Sequence, residues 1–247
     1  MITIKIAGLA VGIDNRYPHL EGLCAEYLTE EPPLFTVRAT DEALDEEARV
    51  SDAPYPRGYL ESVVVYREIA RRLPAYSAFV FHGVALAVGE GAYLFTARSG
   101  VGKTTHTRLW LGEFPDAHIL NGDKPVLRFI DGVPYACGTP WRGKEGYGKN
   151  EMLPLRGIAF VHRAKENTAQ RTSGTAAVFP FLTQTYLPED EESVVRITAL
   201  ADRILESVPL AELHVNLEKE AAHVARRVLL GEMTEKAANS DRTEKVR

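Results

Sequence analysis

The pattern of apolar and polar positions changes near residue 76, which predicts that the chain has two structurally different parts. The first part mixes strand-like and helix-like segments with acidic and proline-containing stretches, which is typical of a small α+β unit. Its clearest segment is 58–73, where apolar residues recur at helical spacing and predict an amphipathic helix. The other predicted elements are a strand or hairpin over 2–13, a short helix over 19–30 and a strand over 34–38. Residues 40–50 are acidic, and Pro54 and Pro56 mark an irregular connection.

Beyond residue 76 the pattern predicts short strands followed by helices. Residues 79–88 and 92–96 are apolar runs joined by a glycine turn, so the second run is predicted to be the return arm of an antiparallel hairpin. Asp131-Gly132 predicts a second tight hairpin. The other predicted strands are 117–120, 126–130, 133–137, 158–162 and 213–215, and the predicted helices are 106–111, 175–186, 191–208 and 217–230.

These patterns predict an α/β fold with a mixed, partly antiparallel sheet and a small N-terminal α+β portion. We expect the N-terminal portion to cover 1–75, the larger domain to cover 76–231, and residues 232–247 to form a polar, frayed tail.

Residues 97–105 read Ala-Arg-Ser-Gly-Val-Gly-Lys-Thr-Thr, which is the phosphate-loop pattern G-x-x-x-x-G-K-[ST] with alanine at its first glycine. A predicted strand precedes this segment and a predicted helix follows it, as the motif requires. Backbone N–H groups of such a loop and the positive end of the helix hold phosphate oxygens. The alternative is an ordinary strand-to-helix turn. The residues expected to bind a nucleotide are Ser99, Gly100, Val101, Gly102, Lys103, Thr104 and Thr105.

Chemistry at such a loop needs further side chains. We expect Lys103 to bridge the terminal phosphates, and Thr104 and Asp123 to hold Mg²⁺. Asp123 follows an apolar strand, at the end where open α/β sheets bind ligands, and it is also the candidate base for an acceptor hydroxyl. Its alternative is a turn aspartate before Lys124-Pro125. His82 interrupts an apolar strand and either lies in the core or orients Asp123 and tunes its proton affinity.

The segment 138–150 is rich in glycine, basic and aromatic residues and is long for a connection. We expect a lid in which Trp141 stacks on a base or a substrate, while Arg142 and Lys144 neutralise charge on a transferring phosphoryl group. An exposed loop with scattered charges is the alternative.

Composition reduces the number of possible binding partners and cellular compartments. The 247 residues carry a net charge of −5, which argues against nucleic-acid binding. The longest apolar stretch, 78–97, is interrupted by polar and glycine residues, and the N-terminus lacks the features of a secretory signal, so we expect no membrane span. Cys24 and Cys137 are far apart in sequence, and we expect two thiols in a reducing compartment rather than a disulfide. These features favour a cytoplasmic protein.

The segment 81–163 resembles the HPr kinase/phosphorylase and ATP-dependent phosphoenolpyruvate carboxykinase superfamily. This resemblance rests on His82-Gly83-Val84, the glycine turn, Ser99-Gly100-Val101-Gly102-Lys103-Thr104 and the strand that ends at Asp123. It implies a kinase-like domain that uses ATP, or another nucleoside triphosphate, with Mg²⁺ to phosphorylate a protein serine. Three further segments are similar to HPr-kinase-like proteins found beside peptide-modification systems, lasso peptide kinases among them: 104–110, Leu120-Asn121 with Asp123-Lys124-Pro125, and 138–141.

Two departures from the superfamily pattern change the expectation. Two adjacent acids are usual where this chain has Gly122-Asp123, so metal binding and acceptor activation fall on Asp123 alone. The segment that holds HPr is not evident, so HPr is not the expected acceptor. The resulting hypothesis is an ATP- and Mg²⁺-dependent kinase of a Ser/Thr hydroxyl in a peptide or protein. The alternatives are a non-catalytic nucleotide-binding regulator or maturation partner and a carboxykinase acting on oxaloacetate. Because family members often form rings, a homo-oligomer is left open.

Overall fold

Two sheets organise the chain in the computed structural model, which describes residues 1–97 and 102–231. The strands are β1 Ile2–Ile6, β2 Leu9–Ile13, β3 Phe35–Val37, β4 Ala78–Val80, β5 Val84–Val88, β6 Gly91–Thr96, β7 Ala117–Asn121, β8 Val126–Ile130, β9 Val133–Cys137, β10 Met152–Arg163, β11 Thr168–Arg171 and β12 Leu210–Val215. The α-helices are α1 His19–Leu23, α2 Asp41–Val50, α3 Arg57–Arg72, α4 Lys103–Glu113, α5 Gly174–Leu182, α6 Glu191–Ser207 and α7 Glu220–Leu230, and short 3₁₀ turns lie at Ala25–Tyr27 and Leu73–Tyr76.

The N-terminal sheet has the order β1-β2-β3. Strands β1 and β2 form an antiparallel hairpin, and β3 runs parallel to β2, which confirms the strands predicted there. Helix α3 is confirmed as well. The acidic residues 40–50 were assigned no element from the sequence, and in the structure residues 41–50 form helix α2. The Thr40 side chain accepts a hydrogen bond from the Ala43 N–H and so caps the start of this helix. Leu44 is fully buried on the side of the helix that faces the core.

The larger sheet has the order β4-β8-β9-β10-β6-β5-β7, with β12 also beside β10 and β11 beside β12. Strands β5 and β6 are antiparallel, and β10 runs parallel to both β6 and β12, so the sheet is mixed as expected. The run predicted as one strand over 79–88 is divided. Strand β4 pairs with β8, whereas β5 pairs with β6 and β7, and the break places His82 and Gly83 between them.

The last part of the chain is mainly helical, as predicted, with two differences in the strands. Strand β10 extends well before residue 158 because its first residues pair with β9 while its later residues pair with β12. Strand β11 is unpredicted and pairs only with β12. None of the helices in the described ranges combines the length and the apolar character that a membrane crossing needs.

The N-terminal part shares a hydrophobic core with the larger sheet. Buried residues of β1, β2 and α3 pack in one cluster with Val80 of β4, Val126 of β8 and Cys137 of β9. Two other clusters lie on the larger sheet, one with α5 and α6 and one with α4 and α7. Cys24 and Cys137 are both buried and unpaired, as expected. The shared core brings α3 close to the strand ends where the candidate site lies.

Candidate functional site

Strand β6 leads to the start of α4, where Lys103 is the first helical residue. Gly102 precedes it with a φ of +114°, a backbone conformation that favours glycine. The half-buried Lys103 ammonium donates a hydrogen bond to the Ala97 carbonyl at 2.9 Å. Burial lowers the pKa of Lys103, the Asp123 charge opposes this shift, and Lys124 adds to it. Lys103 and Asp123 therefore lie close enough to interact.

Part of the predicted nucleotide loop lies outside the described residues. This applies to Ser99, Gly100 and Val101, and also to the side chain of Thr104. Thr105 lies in the first turn of α4 and is exposed. The strand before the loop and the helix after it are both present, which is the arrangement that the motif requires.

His82 and Asp123 meet between the β4–β5 break and the end of β7. The His82 Nε2 atom lies 3.4 Å from Asp123 Oδ1. On the other side of the ring, Nδ1 lies 2.9 Å from Gln184 Oε1, and the Gln184 carbonyl accepts the His82 N–H at 2.7 Å. Because the Gln184 oxygen is an acceptor, Nδ1 donates to it and the basic Nε2 faces the carboxylate.

Burial and neighbouring charges disfavour the protonated form of His82. Burial is the largest cause that lowers the pKa of His82, followed by the positive charges of Lys124 and Lys103. The Asp123 charge and the Gln184 hydrogen bond partly oppose this shift. The neutral ring and the Asp123 carboxylate together can take up one proton and share it.

Asn121 fixes the backbone that carries Asp123. This amide is fully buried at the end of β7, and its Oδ1 accepts the N–H groups of Asp123 at 2.9 Å and Lys124 at 2.6 Å. Its Nδ2 donates to the hydroxyl of Thr139 at 2.9 Å. The Thr139 hydroxyl in turn donates to the Lys124 carbonyl at 2.9 Å. Sequence reasoning assigned no role to Asn121 or Thr139; the available signal was an asparagine two residues before an aspartate, which is a turn-forming arrangement.

Two ammonium groups, those of Lys103 and Lys124, lie near the single carboxylate of Asp123. The Lys124 ammonium lies 3.8 Å from Asp123 Oδ2, and both lysines act on His82. This balance suits a polyphosphate. Mg²⁺ also fits, because it is commonly held by one or two carboxylates together with phosphate oxygens and water, and Asp123 supplies one carboxylate. Over residues 1–97 and 102–231 no three His, Cys, Asp or Glu residues converge on a metal cage.

The position before Asp123 leaves little space for a side chain. A Cβ at Gly122 would lie 3.0 Å from the Arg142 carbonyl oxygen and 3.3 Å from that of Tyr147. The Gly122 N–H donates to the same Tyr147 carbonyl at 3.0 Å. An acid at this position would therefore require the 138–150 segment to move.

The 138–150 segment lies against both the site and the N-terminal part. The Trp141 indole N–H donates to the Ser62 carbonyl at 3.1 Å, and Arg142 pairs with Glu26 at 2.5 Å. Lys144 is exposed. Gly143, with a φ of +74°, packs so closely on Asp123 that an added Cβ would lie 2.9 Å from the Asp123 Cβ. Contacts of Trp141, Arg142 and Lys144 with a substrate stay predictions, since the contacts present are those within the chain.

No family model and no curated protein matches this chain. Among solved structures, the HPr(Ser) kinase/phosphatase from Coxiella burnetii is similar, with a TM-score of 0.36 and 9% sequence identity. The match covers 68% of this chain and 99% of that chain. It is a weak similarity in fold.

Proposed function

We propose that this protein is an ATP- and Mg²⁺-dependent kinase that phosphorylates a serine or threonine hydroxyl of a peptide or protein. The observation that carries the proposal is the contact between His82 and Asp123 beside the larger sheet, together with the electrostatic interaction of both residues with Lys103 at the start of α4. A phosphate-binding lysine beside a carboxylate that is paired with a neutral histidine is suited to phosphoryl transfer, in which positioning and charge stabilisation dominate.

Each residue has a distinct task in this proposal. Lys103 and the backbone N–H groups at the start of α4 bind the terminal phosphates. Thr104 and Asp123 would hold Mg²⁺, which supplies charge neutralisation on the phosphates when it is bound. Lys124 lies beside Asp123 and adds positive charge to the same cluster. Asn121 keeps Asp123 in place through its two backbone hydrogen bonds.

Asp123 and His82 act on the hydroxyl group that accepts the phosphate. The acceptor oxygen forms a new bond to the γ-phosphorus while the bond from that phosphorus to the ADP oxygen breaks. The proton of the hydroxyl passes to Asp123 and is shared with His82 Nε2, 3.4 Å away. ADP and a phosphorylated side chain are the products.

The acceptor is proposed to be a short precursor peptide. The support is the sequence resemblance of 104–110, 120–125 and 138–141 to HPr-kinase-like proteins found beside peptide-modification systems. Action in the cytoplasm is proposed on composition alone.

The Asp123→Asn variant provides the direct test. The amide keeps the size of the side chain but removes the charge and the basic oxygen, so transfer from labelled ATP to peptide is expected to fall by roughly a hundredfold or more. Nucleotide binding, measured by calorimetry, should persist. Asp116→Asn, at an exposed aspartate that pairs with Arg226, is the matched control and should transfer at the parent rate. Full transfer by Asp123→Asn would remove Asp123 from the chemistry.

A non-catalytic nucleotide-binding regulator is the second candidate, and glycine at position 122 favours it. The cluster has one carboxylate where the resembled superfamily usually has two, and the backbone oxygens of the 138–150 segment would have to shift to admit a second acid there. This candidate predicts tight binding of ATP with no hydrolysis and no label in any peptide. The same labelled-ATP experiment on the parent protein distinguishes the two candidates.

A further inference from the structure

Three aromatic rings from distant parts of the chain lie together at the edge of the core that the N-terminal part shares with the larger sheet, and we name them the aromatic cluster: Tyr66, Trp141 and Tyr186. The ring centroids of Tyr66 and Trp141 are 5.4 Å apart, and those of Tyr66 and Tyr186 are 6.4 Å apart. All three side chains are only partly buried. Tyr66 belongs to α3 of the N-terminal part, Trp141 follows β9, and Tyr186 follows α5.

Two of these rings are carried by segments that hold the His82–Asp123 pair. The Trp141 carbonyl accepts a hydrogen bond from Asn121 Nδ2 at 3.3 Å, and Asn121 in turn binds the Asp123 N–H. Tyr186 comes two residues after Gln184, which binds His82, and its own N–H donates to the Val80 carbonyl at 3.0 Å. A movement of either ring segment would therefore disturb the pair.

The pKa of the third ring, Tyr66, is affected by the charge of Asp123. Burial raises the pKa of Tyr66, and the negative charge of Asp123 is the next largest cause. The phenol thus stays neutral at neutral pH, and its partly buried ring adds no charge of its own near the carboxylate. The N-terminal part, in which the sequence shows no chemical motif, therefore supplies a side chain to the edge of the site.

We propose that Tyr66, together with Trp141 and Tyr186, contacts the acceptor peptide and selects one with an apolar side chain next to the serine or threonine. This inference rests on the proposed kinase function and adds its substrate class. Aromatic rings favour apolar and aromatic partners. The segments that carry Trp141 and Tyr186 also hold the His82–Asp123 pair, so the residue next to a hydroxyl bound there is proposed to contact this cluster. In this arrangement Lys103 and α4 hold the nucleotide, and α3 contributes to the choice of acceptor.

Tryptophan fluorescence gives a readout that is independent of catalysis. The chain has two tryptophans, and Trp110 is fully buried in α4, so a Trp110→Phe background leaves Trp141 as the single reporter. The probes are two short synthetic peptides with a central serine, flanked on both sides by phenylalanine in one and by alanine in the other. We expect the phenylalanine peptide to change Trp141 fluorescence and to bind about fivefold more tightly than the alanine peptide.

Variants on the same helix assign this preference to Tyr66. Tyr66→Ala should abolish the fivefold difference, and Tyr66→Phe, which keeps the ring, should retain it. Tyr59→Ala, at an exposed position of α3, is the matched control and should also retain it. A lost preference with unchanged nucleotide affinity is a result that general damage to the fold would not produce. Equal affinity of the Trp110→Phe protein for the two peptides overturns the inference even if Tyr66→Ala does not fold.

Labelled ATP in the same mixtures separates this inference from the kinase assignment. Transfer to both peptides at equal efficiency contradicts the role of the aromatic cluster while the kinase assignment stands. A binding preference without any transfer contradicts the kinase assignment while the peptide contact stands. Transfer with a preference for the phenylalanine peptide supports both.

Discussion

Burial controls the protonation of two histidines near the start of α4. His82, beside Asp123, has its pKa lowered by burial and by two neighbouring lysines. His106, in α4, is 3% exposed, and burial lowers its pKa to about 4. Its Nε2 accepts the Trp110 indole N–H at 3.1 Å, while the buried Nδ1 has no hydrogen-bond partner within the described ranges. The first histidine bears on activity, the second on stability.

Activity is predicted to fall in acid with a midpoint below pH 6.5, the ordinary pKa of histidine. In the proposed mechanism neutral His82 shares the acceptor proton, so protonation of its ring would remove that capacity, and its lowered pKa moves this loss to lower pH. Initial rates of peptide phosphorylation between about pH 5 and pH 8 measure it. In His82→Gln the maximal rate should be lower and this acid limb absent. A midpoint at or above 6.5 in the parent protein would contradict the assignment.

His106 predicts a loss of stability in acid. Its folded-state pKa of about 4 lies below the unfolded value of 6.5, so the unfolded chain binds the proton more readily. Its contribution is full above pH 6.5 and declines as the pH falls toward 4. At pH 5 the free energy of unfolding should have lost about 2 kcal/mol through this group. Urea unfolding of the parent and of His106→Leu at pH 7 and pH 5 measures this loss. The parent should lose about 2 kcal/mol more than the variant between these two pH values, and equal losses would contradict the assignment to His106.

At the level of elements, the segment after β9 determines how Asp123 is held. Gly143 and Gly146 both have positive φ values, +74° and +68°. At Gly143 an added Cβ meets Asp123, whereas at Gly146 nothing lies within 4 Å. The two glycines therefore share the backbone requirement but differ in their contact with the site.

Alanine at these two glycines separates backbone strain from displacement of Asp123. Both Gly143→Ala and Gly146→Ala should cost about 1–2 kcal/mol of stability, because an L-residue resists this backbone conformation. Only Gly143→Ala pushes on the carboxylate, so its phosphate transfer should fall about tenfold further than that of Gly146→Ala. Thermal melts and transfer rates of the pair measure the two effects. Equal losses of transfer would contradict the contact between this segment and the site.

The sequence predicted elements that local patterns specify. The β5–β6 hairpin, the Asp131-Gly132 hairpin and helix α3 depend on turn residues and helical periodicity, and they are present. Helix α2 was missed because half of its residues are acidic and only one narrow face is buried, so the helical spacing is weak in the sequence. The Thr40 cap was the remaining signal. The division of 79–88 into β4 and β5, and the length of β10, depend on which strands pair, and no local pattern shows this.

At the level of the whole molecule, the site draws on both parts of the chain. The motif and the strand ends were enough to single out Lys103, Asp123 and His82. The Trp141–Ser62 hydrogen bond and the position of Tyr66 result from packing between distant segments, so no local pattern predicts them. The Asn121 turn is local, and its role was missed because an asparagine in a turn does not by itself indicate which residue it holds. The shared core with β4, β8 and β9 keeps α3 at the site. The N-terminal part is thus proposed to take part in function as well as in folding.

A structure of the full chain with Mg²⁺ and a non-hydrolysable ATP analogue tests the central claim most directly. The account predicts that the terminal phosphate lies within hydrogen-bond distance of the Lys103 ammonium, which would exchange the Ala97 carbonyl for it, and that Asp123 faces the same phosphate. An analogue bound away from Lys103, or an Asp123 carboxylate that faces away from the terminal phosphate, would contradict it.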